Sequence, residues 1–548
     1  MGVDDRKEKA PRLRLWESGL AGLAASRHDP AAMSFSRRRF LGAASAFSLA
    51  PIAARAARSS DLDVAIIGGG AAGTYTAWRL ALDRPDLRVR LFEASERIGG
   101  RLFSTAFPQA PHLVTELGGM RFLDAHRHVS GLVAHLGLPI RNFPIDREDN
   151  RVLLRGRNFA QRAIRAGSAR FPYGISDADQ KPSARYFDRA IARVLPNAAH
   201  MTAADWRKIR AGYRFKNRLL RDWSNRDLLL QGMSAEELKF SEDISGYDDW
   251  IEGETGLDEL DYYFIHDDES KPFNTLSGGY QRLPLTLAAQ AQKAGVKSES
   301  DARLVSLREV ANGFRLMLRD SQSRQTTLTA ANVVLALPRR SLERIEDFPA
   351  RHETRFARLI ASVTPIPACK SLLLYARPWW RDHGVVEGRS VTDLPARQFY
   401  CFGSEPGRLP SEDANGHGVL MAYCDEKSVQ AWRALAARSE PSLGDSALAR
   451  EVHREAELVI GPTKAAPIAA RFQDWSADPY GGGWHYYALG HDGAVDGEAM
   501  LAPLPGRKLY VCGEAYSFAQ GWVEGALERA ETVLQRHFGL KQPAWLKD

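Results

Sequence analysis

An apolar run, Asp63-Val64-Ala65-Ile66-Ile67, passes directly into Gly68-Gly69-Gly70-Ala71-Ala72-Gly73 and then into residues 74–82 at helical spacing. A buried strand that turns on glycines into a helix gathers backbone N–H groups and the positive end of the helix dipole at one point, which suits a pyrophosphate. Gly68 permits the tight turn, Gly70 lets the backbone approach the phosphates, and Gly73 lets the helix pack closely on the strand. Ala71 and Ala72 open the helix and bring its first N–H groups to the same point. A second strand, 88–92, ends at Glu93, near the ~20-residue spacing at which a carboxylate takes ribose hydroxyls. An acid there favours an unphosphorylated ribose.

With 548 residues the chain is long enough for more than one lobe. Its apolar content is 44%, and no uncharged stretch reaches the ~18 residues of a membrane span. Residues 36–41, Ser-Arg-Arg-Arg-Phe-Leu, precede a mildly apolar Ala- and Ser-rich run and resemble a twin-arginine export signal cleaved near Ala56. A basic amphipathic helix is the rival reading, and Met33 competes with Met1 as the start. Export by that machinery moves folded proteins, so the expected destination is periplasmic or secreted. Residues 1–56 carry five of the chain's seven net positive charges, so the remainder sits near +2 and gives no reason to expect nucleic acid as a partner. Cys369, Cys401, Cys424 and Cys512 are far apart in sequence, lie in apolar strand-like contexts and read as buried thiols, with no metal spacing.

Two further stretches extend the nucleotide reading. Glu93 runs into Ala94-Ser95-Glu96-Arg97-Ile98-Gly99-Gly100-Arg101, and near the C-terminus Lys508-Leu509-Tyr510-Val511-Cys512-Gly513-Glu514 is followed by Gly521-Trp522-Val523-Glu524-Gly525-Ala526. With these the chain resembles the flavin amine oxidase superfamily. The resemblance implies FAD, held by Gly68, Gly70, Ala71, Ala72, Gly73, Glu93, Ala94, Gly100, Arg101, Leu304, Gly513, Glu514, Gly521, Trp522 and Val523. Glu514 would take the ribityl chain. No cysteine lies in residues 478–486, where monoamine oxidases tether the flavin, so non-covalent FAD is expected.

Glu116-Leu117-Gly118-Gly119-Met120-Arg121 resembles the L-amino acid oxidase branch, including snake-venom and bacterial enzymes. In that branch Gly118, Gly119 and Met120 lie at the cofactor and the arginine pairs with the substrate carboxylate. A guanidinium grips a carboxylate bidentately, which selects amino acids over simple amines. By the same resemblance Tyr400, in residues 389–400, also contacts the carboxylate, with a buried core tyrosine as the rival reading. Lys370 would hold a water that aids reoxidation by O2, and Trp484 and Trp522, with Gly521, would wall the substrate. The reaction implied is hydride loss from Cα to flavin N5, imine hydrolysis to a 2-oxo acid and ammonia, and H2O2 formation. An amine oxidase, an amino acid monooxygenase and a flavin-carrying electron-transfer or binding protein remain open alternatives.

The fold class expected is α/β. A Rossmann-like FAD lobe draws on 57–104, 275–345 and 497–548, an α+β substrate lobe on 105–150 and 346–496, and a helical insertion on 151–274. The insertion contains an amphipathic run over 203–220. Residues 241–270 hold twelve Asp/Glu and no Lys or Arg. These acids either pair with the basic helices before them or line a pocket for a cationic substrate such as L-arginine or L-lysine. Interleaved aromatics would equally suit Phe, Tyr or Trp. Family resemblance suggests a homodimer.

Overall fold

Strand Leu62–Ile67 lies between Val89–Phe92 and Gln325–Leu335, parallel to both, which explains its unbroken apolar run: a parallel strand is covered on both faces. In the computed structural model, which describes residues 60–176, 185–248, 253–265, 272–402, 416–438, 440–477 and 481–547, this strand is central to a seven-stranded sheet. Strand Gln325–Leu335 changes partner along its length. Residues 325–330 pair antiparallel with Gly313–Arg319, and residues 333–335 pair parallel with Leu509–Val511. Stretches far apart in sequence therefore close one sheet. Helices Ala71–Asp83, Arg282–Lys293 and Val523–Phe538 bury Tyr75, Trp78, Leu283, Leu287, Leu527 and Val533 against it. That packing needs Gly73, because a Cβ there would lie 1.8 Å from the Gly68 carbonyl oxygen.

A second seven-stranded sheet has the order Ala469–Asp474, Ala368–Tyr375, Gly418–Asp425, Gln398–Phe402, Gly388–Thr392, Arg151–Leu154, Arg157–Ala160. Its last two strands fall where sequence places the start of the helical insertion. Arg155 and Gly156, at φ 45° and 75°, make the tight hairpin that adds them to the sheet edge instead. Cys369 and Cys424, 55 residues apart, are directly opposed on neighbouring strands with their sulfurs 3.2 Å apart, and all four cysteines are buried thiols.

The insertion carries helices Arg185–Val194, Ala203–Ile209, Asn225–Leu229, Ala235–Ser245 and Gly256–Ile265. The helix expected over 203–220 stops at Ile209. Beyond it Arg214–Phe215 and Arg218–Leu219 pair across Lys216 and Asn217, both at positive φ, so turn chemistry overrides the apolar spacing. Among the described residues no helix is long and apolar enough to cross a membrane. The twin-arginine leader, residues 249–252 and 266–270 of the acidic stretch, and Asp478-Pro479-Tyr480 lie outside the described residues.

Candidate active site

One cavity of about 570 Å³ runs between the two sheets and the insertion. Its floor is made by glycine turns that leave room for a ligand. Gly68, at φ 107°, could carry no side chain, since a Cβ would sit 2.5 Å from the Ala336 carbonyl oxygen. Gly70 and Gly100 approach so closely that a Cβ on Gly100 would touch the Gly70 Cα at 3.0 Å. Helices Ala71–Asp83 and Val523–Phe538 both begin at this cavity, and neither N-terminus is capped by a side chain. Helix N-termini without caps present unsatisfied N–H groups and favour negative charge. Glu93 and Glu514 supply carboxylates on the same wall. The chemistry of this donor set fits a dinucleotide carrying a pyrophosphate and polyol hydroxyls.

Of the cofactor residues named from sequence, all but Gly73 line this cavity. Gly73 lies behind it, against the Gly68 carbonyl. Glu93 accepts from the Gly69 N–H at 2.6 Å and from the Ser95 N–H at 2.9 Å, which ties the acidic strand end to the glycine turn. Glu514 pairs with Arg101 at 2.8 Å, approaches His485 Nδ1 at 3.2 Å and accepts from the Gly521 N–H at 3.0 Å. Burial opposes its ionisation, but Arg101 and His485 offset that and hold its carboxyl down to about 2. Arg101 also donates to the Gly483 carbonyl at 3.0 Å, so the Gly-Gly-Arg turn is clamped to the strand region preceding Trp484.

Arg121 donates from Nη1 to the Tyr400 hydroxyl and from Nη2 to the Tyr247 hydroxyl, each at 3.0 Å, and its guanidinium stands 4.2 Å over the Phe273 ring. Arg121, Tyr247 and Phe273 line the cavity. Tyr400 does not: it is fully buried behind Arg121, and its hydroxyl donates to Gln398 Oε1 at 2.7 Å. The Tyr400 hydroxyl thus meets Arg121 from the buried side, as the core-tyrosine reading of the sequence has it. Strand Gln398–Phe402 alternates its side chains across the sheet and lies beneath the arginine, so Tyr400 orients the guanidinium from below. Tyr247 follows the left-handed Gly246 that ends helix Ala235–Ser245. Read along the chain, Tyr247 is one aromatic among acids, with no sign of pairing with Arg121.

Lys370 sits in a strand buried at every position and lines the cavity from there. It donates to the Gly118 carbonyl at 2.6 Å and the Glu116 carbonyl at 3.3 Å, with Met120 Sδ at 3.3 Å. Burial pulls Lys370 well below the usual lysine range, Glu116 opposing and Arg121 assisting. Trp522 lies parallel to Phe273, centroids 6.1 Å apart. Trp484 packs on Tyr486 at 4.8 Å and covers Gly521, where a Cβ would meet its ring at 3.0 Å. Both tryptophans line the cavity, and Trp522 is stacked on the Phe273 ring that lies under the Arg121 guanidinium.

The described acids of the 241–270 stretch divide in two. Glu242 pairs with Lys427, Asp243 and Asp248 with Arg397, and Asp261 with Arg210. Glu254, Asp258 and Glu259 line the cavity instead.

The family described as flavin containing amine oxidoreductase matches residues 71–535. Aplysianin-A of Aplysia kurodai is 25% identical over 517 residues, 87% of this chain and 90% of the relative. Achacin of Lissachatina fulica is 25% identical over 523 residues, covering 88% and 94%. The L-amino acid oxidase Bs29 of Bothriechis schlegelii is 23% identical over 479 residues, covering 87% and 90%. A putrescine oxidase triple mutant, from a redesign of cofactor binding, superposes with a TM-score of 0.64 at 19% identity, over 86% of this chain and 98% of that one, which speaks for the fold alone.

Proposed function

The chain belongs to the flavin-containing amine oxidoreductases, a flavin-dependent oxidoreductase whose cofactor is FAD, and from that premise we propose that it is an L-amino acid oxidase. The observation that carries this reading is Arg121, set on the cavity wall between two tyrosine hydroxyls and over an aromatic ring. A guanidinium so oriented grips the two oxygens of an α-carboxylate and fixes Cα. Tyr247 takes part at the cavity face, and Tyr400 acts through Arg121.

FAD, when bound, would supply the redox chemistry, taking a hydride from the substrate's Cα–H bond, so that the Cα–N bond becomes an imine, and passing the two electrons to O2. Glu93 would hold its ribose, and the N-termini beginning at Ala71 and Val523 would face its phosphate and ring oxygens. Four buried cysteines, none of them on the cavity wall, support non-covalent attachment. Trp484 and Trp522 exclude water and hold the amine in line, and the amine reacts in its neutral form with no protein base assigned. The buried charge of Lys370 stabilises negative charge developing on oxygen. Hydrolysis of the imino acid gives a 2-oxo acid and ammonia, and O2 leaves as H2O2. The cavity acids favour a basic L-amino acid.

The same reading takes residues 36–41 as the twin-arginine signal of a periplasmic or secreted protein working as a homodimer. N-terminal sequencing of the exported chain tests the former, and sedimentation the latter. The decisive experiment is anaerobic mixing of the yellow protein with each L- and D-amino acid. Bleaching by L-forms alone is expected, and Arg121→Ala should abolish it for the amino acid while sparing the decarboxylated amine. A flavin that no L-amino acid bleaches would end this proposal.

A further inference from the structure

Glu259 lies on the first turns of helix Gly256–Ile265 and is partly accessible where it lines the cavity. Among the described residues no lysine or arginine pairs with it. Its one partner is Asn225, whose Nδ2 stands 3.3 Å from Glu259 Oε2. Asn225 is itself 4% exposed, lines the same cavity, and its Oδ1 has no hydrogen-bond partner among the described residues. A buried amide oxygen left without a donor is costly, and a partly buried carboxylate without a cation adds to that cost. The two acceptors stand side by side and ask for the same thing: a group with several N–H donors and a positive charge.

The wall beside them is aromatic. Tyr487 N–H donates to Asp258 Oδ2 at 2.9 Å and Thr255 N–H to the Tyr487 carbonyl at 3.1 Å, so the start of the acidic helix is tied to strand Trp484–Tyr487. Trp484 and Tyr486 of that strand line the cavity together with Glu259. Aromatic faces next to a carboxylate and an amide oxygen make a receptor for an ammonium or guanidinium.

We propose that Glu259 and Asn225 form the subsite that receives the cationic end of the substrate side chain, and so set a preference for L-lysine and L-arginine. The assignment rests on the L-amino acid oxidase reading and adds to it the residues that choose among amino acids. Burial raises the Glu259 carboxyl to about 7, so the site binds its cation best when that proton is lost. Asp261, on the same helix, differs in that it already faces Arg210.

The test compares L-lysine with L-norleucine, which differ only in the terminal amine, by oxygen uptake. In the unaltered protein kcat/KM for L-lysine should exceed that for L-norleucine by about 30-fold or more. Glu259→Gln should reduce the ratio to about threefold or less, mostly through KM, and Glu259→Asp should restore part of it. Asn225→Leu should lower it by about fivefold to tenfold. Flavin absorbance reports whether each variant is folded, and the comparison in the unaltered protein needs no variant. A ratio near one in the unaltered protein, or a ratio that Glu259→Gln leaves intact, would overturn the subsite while the oxidase reading stood. A flavin bleached by no L-amino acid would instead remove the reading beneath it.

Discussion

Arg121 and Tyr247, 126 residues apart in the chain, meet through a 3.0 Å hydrogen bond from the guanidinium Nη2 to the phenol oxygen. Tyr247 reaches that position because Gly246, at φ 77°, turns the chain sharply at the end of helix Ala235–Ser245. Removing the phenol oxygen should loosen the arginine at the cavity face. Tyr247→Phe is expected to lower kcat/KM for L-amino acids about tenfold, mainly through KM, in line with about 1.5 kcal/mol for a hydrogen bond to a charged group. Steady-state oxygen uptake with L- and D-forms measures it.

Tyr400 should behave differently. Its hydroxyl links Arg121 to Gln398 in full burial, so Tyr400→Phe removes both bonds and leaves the Gln398 Oε1 acceptor without that donor in the core. Thermal unfolding should show a loss of about 1–3 kcal/mol, with a rise in KM no larger than that of Tyr247→Phe.

Gly73→Ala tests the strand–turn–helix unit. The added Cβ would lie 1.8 Å from the Gly68 carbonyl oxygen, too close for any side-chain adjustment to relieve, so helix Ala71–Asp83 must move off the sheet. The variant should be purified without yellow colour, read as the ratio of flavin to protein absorbance.

The Glu514 carboxyl is held at about 2 in the folded chain, below its usual value. Its ion pair with Arg101 therefore contributes stability that is fully present above about pH 4.5 and is lost as pH falls toward 2. The shift corresponds to about 3 kcal/mol at most. Arg101→Gln should move the acid-unfolding midpoint upward, followed by tryptophan fluorescence. An unchanged midpoint would show that the pair contributes nothing to acid resistance.

Lys370→Met should slow reoxidation of the reduced protein by O2 about 100-fold, because a buried positive charge acts on developing negative charge without water to screen it. Stopped-flow mixing with oxygenated buffer separates this step from substrate oxidation, which should change far less.

Local signals carried the cofactor half of the site into view. Gly68, Gly100 and Gly521 occupy turns at positive φ that L side chains rarely adopt, and Glu93 and Glu514 follow strands, so each residue's placement depends on a few neighbours in sequence. Tyr400 shows where this reasoning stops. Its motif placed it in company with Arg121, but how far its hydroxyl reaches toward the cavity is set by residues packed around it from other segments, among them Phe143 and Phe273. The helix expected over 203–220 failed for a related reason, since apolar spacing counts side chains and is blind to the backbone turn at Lys216 and Asn217.

From sequence alone came the strand–glycine–helix unit, the second glycine-rich helix start, the arginine at 121 and a segment rich in acid. Local backbone sterics and short-range spacing fix the glycine turns and helix starts, and family resemblance singled out the arginine. Only tertiary structure decided which acids were spent on ion pairs and which faced the cavity. Asp243, Asp248 and Asp261 found arginines on distant segments, whereas Glu259 found an asparagine. Charge compensation in a buried site depends on what the fold brings within about 4 Å, and no run of neighbouring residues records that.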